Sequence, residues 1–586
     1  MASYPEYRGA LLTHALHACL PHWDTSVRVL GAQAAAAIVQ LDTACVQPSC
    51  SEQLKAASST DSARVHGALL FFSALAHCWL GEGANTADAW PPRMLDAVAQ
   101  LNARLLDAPG GALVLEAACR VIAAAFALAP DCAQAPLWRI VHAAVVRPER
   151  DVHNAVAAAL HALRHSAEAA TFVQDTLREW GAQPVDTQRC CALAFGRMQG
   201  VENEARLRHL ASLLCHGADA TTRDVETRQN AAISLALVAQ EHRELVDQAL
   251  PGLLKGAADY TVDQRGDVGS WVRSVSVVGL CDVLHTVRVE KLSSAAANAT
   301  AEPPFSAEHF FSACVAIAAQ TTERINSLRS EACTQLVRLA HDYDGSYGGD
   351  AYTPPGRQLI LEALDGMASV ELRDAKAAYP RILRLLKVPP YRRPMLRGVA
   401  LAIGGSTAEA GTALVAAVRN GDMRFACNVL NNLTNIAAAG ARDNRQFVPA
   451  MLTVHTLLDA GVIEYAAEEP EPILGRVLRL ATAHVAQVRS VQRVQTCISI
   501  TVALLSQPKY MSAAVRHLAT FLTHAYPAVR MSTSKQLYLA LGERDLGDWA
   551  AAAEIEEVLL STPWAEGTPA ELGFAAARIS TLWTQP

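Results

Sequence analysis

Apolar residues recur along this chain at three- and four-residue intervals, the spacing that lines side chains up on one face of an α-helix. Val27, Leu30, Ala34 and Ile38 make the first such face, with Asp24 placed ahead of them to cap the helix start. Further helical patterns fall at Arg64 to Ala76, Gly111 to Ala127, Val152 to Leu163, Arg189 to Met198 and Arg228 to Val238. Between them lie Pro91-Pro92, Pro130-Asp131, Gly181 to Pro184 and Gly217 to Thr222. These stop helices, because proline lacks an amide hydrogen and glycine leaves the helical region readily. Strand-like sequence is scarce, and β-branched runs such as Val275 to Val278 sit inside patterns of helical spacing.

A second pattern overlies the first. Gly31, Gly67, Ala192, Ala231, Ser276 and Ala400 follow Arg28, Arg64, Arg189, Arg228, Arg273 and Arg397 by three residues, and Thr533 follows Arg530 in the same way. Arg28 to Arg64, Arg189 to Arg228 and Arg228 to Arg273 are 36, 39 and 45 residues apart. That is the period of helical repeats of the HEAT or armadillo kind, in which each helix pair is stable only against its neighbours. The predicted fold is therefore all-α, a HEAT/armadillo-type right-handed α-solenoid, whose extended surface suits holding proteins. The rhythm weakens near Glu302-Pro303-Pro304, which divides the chain into a repeat region over 1–300 and a second helical domain over 301–586. In that second part, His341 to Gly356 predicts an exposed loop carrying Tyr343, Tyr347 and Tyr352, and Gly404-Gly405 predicts a close helix terminus.

Composition sharpens this picture. Half of the 586 residues are hydrophobic but only 6% are aromatic, and alanine runs such as Ala34 to Ala37 suit closely stacked short helices. Net charge is -7 with both signs interspersed and no basic stripe, which argues against nucleic acid as a partner. The 14 cysteines lack CxxC pairs or framework spacing and read as small buried hydrophobes of a reducing compartment. Glu116 and Arg120 interrupt the most apolar window, so no transmembrane segment is predicted.

The richest local segment runs from Asp259 to Arg273, with two glycines and spare carboxylates ahead of a helix. Ser270 or Asp267 is placed to cap that helix, Val272, Val275 and Val278 to face the stack, and Trp271 to anchor its edge. Arg265, Asp267, Trp271 and Arg273 are the candidate partner-contact residues. Asp263 and Asp267 superficially suggest calcium, but no twelve-position calcium-loop pattern follows, so a shaped structural loop is the leading reading. His14, His17, Cys19 and His22 are the densest array of metal-ligand types, yet at this spacing they do not share one helix face. No HExxH, GxSxG, GxGxxG or Walker-type segment occurs, so no catalytic, cofactor-binding or metal residue is assigned.

Tyr260 to Arg273, above all Arg265-Gly266-Asp267-Val268-Gly269 with Trp271-Val272-Arg273, resembles the tubulin-folding cofactor D family. His22-Trp23-Asp24 before Arg28, His66-Gly67, Leu396 to Gly405, Pro527-Ala528-Val529-Arg530 and Thr562-Pro563-Trp564 support the resemblance in the family's order. Family proteins are about twice this length, and this chain is similar to their C-terminal half, with the C-terminal helical domain beginning near residue 300. The resemblance implies a cytoplasmic, microtubule-associated tubulin chaperone. It implies β-tubulin and αβ-tubulin, tubulin-folding cofactors C and E and an Arf-like small GTPase as partners. It also implies a contribution to stimulating tubulin GTP hydrolysis within a cofactor complex, without an autonomous active site. The alternative is a solenoid scaffold for another cytosolic protein.

Overall fold

The computed structural model describes residues 2–82, 90–217, 220–293, 303–462, 471–483, 490–543 and 551–584. Among the described residues every regular element is helical, and one isolated bridge joins Asp263 to Gly266. The chain forms two compact units, residues 1–309 and 310–586.

In the first unit, helices Thr25–Leu41, Ser62–Glu82, Gly111–Leu128, Arg150–Leu163, Val185–Ala194, Val225–Glu241 and Gly269–Ser293 form a row in which each packs on the next. A second row lies against it, including Val46–Ala57, Trp90–Ala99, Ala135–Val145, Asn203–Leu213 and Val246–Gly256. The second unit repeats this plan with Pro389–Gly404, Asn444–Asp459, Val491–Ala503 and Pro527–Glu543 in one row. Met423–Ala439, Glu471–Thr482, Pro508–Leu522 and Pro569–Thr584 make the other. Each helix thus finds its core in neighbours close in sequence, which is the condition of an α-solenoid of HEAT/armadillo type.

Helices inside a row are covered on two sides, so burial extends beyond a single stripe. Gly111–Leu128 buries Val114, Leu115, Ala118, Val121, Ile122 and Ala125. Its Arg120 Nη2 donates to Glu116 Oε1 at 2.6 Å on the strip left outside. This helix and Ser62–Leu80 are long and apolar enough to cross a membrane, and both lie mid-row between helical neighbours.

Helix Thr25–Leu41 buries a different face from the one its larger residues predict. Gly31, Ala32, Ala35, Ala36, Ile38 and Val39 are inside, whereas Leu30 is 65% exposed and Ala34 is also outside. Small residues win because they allow close approach: a Cβ on Gly31 would stand 2.4 Å from the Cys19 Cβ. The predicted surface tyrosines are likewise corrected. Tyr343 and Tyr347 are buried, Tyr343 lies 4.7 Å from the Phe310 ring, and Tyr352 lies 5.8 Å from the same ring. The segment folds back as an aromatic cluster. Of the 14 cysteines, eight are buried and six half-buried. Helix Pro389–Gly404 does end at the glycine pair, but the left-handed residue is Ser406 at φ 69°. Gly404 serves packing instead, since a Cβ there would meet Pro449 at 3.0 Å.

The recurring arginine has a defined task. Arg28, Arg228, Arg329 and Arg530 each stand fourth in their helix, and all four are buried. Helical side chains lean toward the N-terminus, so each guanidinium reaches the carbonyl six residues back. Nη1 donates to His22 O at 2.6 Å, Thr222 O at 3.2 Å, Glu323 O at 3.0 Å and His524 O at 2.7 Å, respectively. Nε then reaches the next repeat: His66 Nδ1 at 2.8 Å, Asp259 Oδ2 at 2.8 Å, Leu372 O at 3.2 Å and Trp564 O at 2.7 Å. A buried cation beside a helix N-terminus is unfavourable unless its donors are met, and these clamps meet most of them with charge-assisted bonds, Arg228 Nη2 being left without a partner. Arg64 fits the sequence pattern but stays exposed, 4.0 Å from Asp61. Buried Arg206, which holds Val201 O at 2.6 Å, lies outside the pattern because His209 stands where the small residue is expected.

Arg329→Ala strands the main-chain carbonyls of Leu372 and Arg373, leaves Glu323 O to the Tyr379 hydroxyl, and is expected to destabilise the second unit by about 3 kcal/mol. Arg64→Ala leaves the unfolding midpoint unchanged; calorimetry of the two variants checks the contrast. A second expectation concerns pH. Burial, then the charge of Arg28, pushes His66 down to about 3, so the folded imidazole stays neutral while an unfolded one binds a proton near pH 6.5. Stability is therefore lost as pH falls from about 6.5 toward 3, by ~2 kcal/mol at pH 5. His66→Gln removes this part of the difference between unfolding curves recorded at pH 7.5 and pH 5.

Candidate functional site

The segment between helices Val246–Gly256 and Gly269–Ser293 contains the four contact candidates, and its shape comes from two carboxylates. Asp259 is fully buried; its Oδ1 accepts from Thr261 N at 2.9 Å and Thr261 Oγ1 at 2.6 Å, and its Oδ2 accepts from Arg228 Nε at 2.8 Å. Burial pushes this carboxyl up, but the Thr261 bonds and Arg228 outweigh it and hold the group below the usual carboxylate range. Asp267 receives both ends of Arg273, Nη1 at 3.1 Å and Nη2 at 2.9 Å, while Nη1 also donates to Asp259 O at 2.7 Å. The Tyr260 ring lies 4.1 Å from the same guanidinium. Gly269 is required where the segment re-enters the helix, since a Cβ would stand 2.3 Å from Asp259 O and 2.7 Å from Thr261 N.

Outside this frame stands a small hairpin. Asp263 and Gly266 exchange two main-chain bonds of 3.0 Å, with Gly266 at φ 103°. Arg265 donates from Nε at 3.1 Å and Nη2 at 2.8 Å to Asp263 Oδ2, and lies 5.1 Å from the Trp271 ring centre. Its Nη1 is 3.8 Å from Glu226, which also lies 3.4 Å from Arg189. Arg189 in turn forks onto Asp224 at 2.9 and 2.7 Å, and Asp224 caps helix Val225–Glu241 through Thr227 N. Opposite charges thus alternate across adjacent repeats and hold Arg265 in place.

The structure divides the candidates into two pairs. Arg265 and Trp271 share the surface, with Trp271 37% exposed beside exposed Val262. Arg273 is 0% exposed and Asp267 half-buried, so the proposed surface role of Arg273 is corrected: it is an internal strut whose donors are spent on the loop itself. The three-residue spacing of Val272, Val275 and Val278 also misleads. Three residues fall about 60° short of a full turn, so only Val272 faces the stack fully, and Val277, Leu280 and Leu284 continue the buried face. Sequence reading placed Arg189 only in the repeat pattern and did not identify Glu226, since the contacts that bring both to this loop join separate repeats.

An arginine within cation–π distance of an indole, already positioned by carboxylates, offers a pre-ordered contact for a partner's acidic or aromatic group at little entropic cost. Asp263 and Asp267 are committed to arginines. The N-terminal histidines turn to separate partners: His17 lies 3.1 Å from Glu52, and His22 Nδ1 accepts from Asp24 N at 3.0 Å. Among the described residues no group of three or more His, Cys, Asp and Glu side chains is placed to hold a metal ion.

Residues 312–493 match the family model described as Tubulin folding cofactor D C terminal. The chain therefore contains a C-terminal domain matching that family. Solved structures similar to this chain include importin beta, 14% identical at a TM-score of 0.37, covering 99% of this chain and 75% of that one. The Kap95:Nup1 complex is 13% identical at a TM-score of 0.34, covering 98% and 72%. The karyopherin Kap121p bound to the extreme C-terminus of the protein phosphatase Cdc14p is 10% identical at 0.32, covering 99% and 71%.

The division of the loop is testable by thermal unfolding with limited proteolysis. Arg273→Gln is expected to lower the unfolding midpoint and open the 259–269 segment to protease, because Asp259 O and Asp267 lose their donor. Arg265→Gln leaves both readouts as in the wild type.

Proposed function

We propose that this protein is a tubulin-binding scaffold of the tubulin-folding cofactor D kind, acting in the cytoplasm and at microtubules. The observation that carries the reading is the match of residues 312–493 to that family's C-terminal region, set in a chain built as an α-solenoid. Stacked helices are a pre-ordered surface, so holding an incomplete subunit costs little further ordering. On this reading β-tubulin and the αβ heterodimer are the cargo, and cofactors C and E and an Arf-like small GTPase join the assembly. The nucleotide and its phosphate chemistry belong to tubulin; this chain contributes to hydrolysis by presenting tubulin to the other cofactors, without a catalytic site of its own.

Arg265 and Trp271 are the contact residues favoured by their exposure, and the negative surface of a partner is the chemistry they suit. Co-purification with αβ-tubulin tests both levels of the proposal. The wild-type chain is expected to retain tubulin on gel filtration, with Arg265→Glu/Trp271→Ala weakening retention about tenfold. Failure of the folded wild-type chain to retain tubulin rejects the function; retention unchanged by the double substitution rejects only this face.

A further inference from the structure

Between helices Ala135–Val145, Ala167–Arg178 and Val185–Ala194 of the first unit lies a groove of about 580 Å³. Val145 and Phe172 give it apolar walls, and Glu168, Asp175 and Glu179 bring three carboxylates to it. Neither lysine nor arginine is among the residues that line it. Arg178, beside it, is shared by Asp175 at 2.7 Å and Glu179 at 3.3 Å, which leaves the local balance negative. A second observation is independent of charge. Thr187 also lines the groove, is 4% exposed, and its buried Oγ1 has no hydrogen-bond partner. A buried hydroxyl left unpaired is unfavourable, and a donor that reaches it relieves that.

We propose that this groove receives a basic segment of a partner protein. The stem of one lysine or arginine lies along Phe172 and Val145, the Thr187 hydroxyl turns out of its buried position to accept from the head, and neighbouring cations of the same segment meet Glu168 and Glu179. Long cationic side chains are suited to such a site because their methylene stems pack on apolar walls while the head group stays hydrogen-bonded. The volume exceeds one side chain, so a short stretch of backbone enters with it. The inference is independent of the tubulin reading, because these residues lie outside 312–493 and the segment taken is basic.

Fluorescence anisotropy of a labelled hexalysine peptide titrated with the full chain tests it. Hexalysine is expected to bind, hexaglutamate not, and added salt to weaken binding. Glu168→Gln/Glu179→Gln should weaken hexalysine about tenfold, whereas Glu556→Gln/Glu557→Gln, which removes the same charge elsewhere, changes it less than about twofold. Thr187→Val removes the hydroxyl at nearly constant volume; it should keep or raise the unfolding midpoint while weakening the peptide about threefold. Equal losses for the two double substitutions, or hexalysine affinity unmoved by Thr187→Val, overturn the proposal.

Discussion

The guanidinium at the fourth position of a helix is the interaction on which this architecture depends most. Stacked alanine-rich helices bury apolar area with little directional preference, so they alone do not fix the register of one repeat against the next. Arg28, Arg228, Arg329 and Arg530 supply that direction, each binding its own entry turn and a specific group in the following repeat. Their acceptors are mostly main-chain carbonyls, whose positions follow from backbone geometry more than from side-chain identity. This explains how repeats of such different sequence share one joint.

Much of the fold was legible in the sequence because solenoids are built from local contacts. The period of the Arg-to-small-residue pattern reflects the joint itself, and the prolines and glycines between helices act locally. What escaped prediction depends on neighbours. The Gly31 and Ala35 face prevails over Leu30 only because another helix approaches closely, and Tyr343 is inside only because Phe310 covers it. Arg64 and Arg206 show the limit from both directions, one matching the pattern without the joint and the other making a buried bond without the pattern.

The Asp259 to Arg273 segment shows how a site is legible in composition but not in role. Its charges and glycines announce a shaped loop, yet Arg265 and Arg273 read equally as contacts, although only Arg273 belongs to the recurring arginine series. The structure turns one outward over Trp271 and spends the other on Asp267 and Asp259. The difference arises from helix phase: Arg273 lies on the buried side with Val272 and Ser276, while Arg265 precedes the helix altogether. A protein-binding scaffold needs both kinds of residue, a rigid support and a presented contact.

Because each clamp reaches forward in sequence, damage to its two sides has different consequences. Arg530 has Trp564 and Ala565 as acceptors, so detachment of the segment that carries them leaves a cation half-satisfied in the preceding repeat. Loss of an earlier repeat takes the cation with it and leaves acceptors bare in the later one, main-chain carbonyls at the Arg329 and Arg530 joints and the buried Asp259 carboxylate at the Arg228 joint. The joints therefore couple local unfolding in both directions, exposing an unmet cation on one side and unmet acceptors on the other.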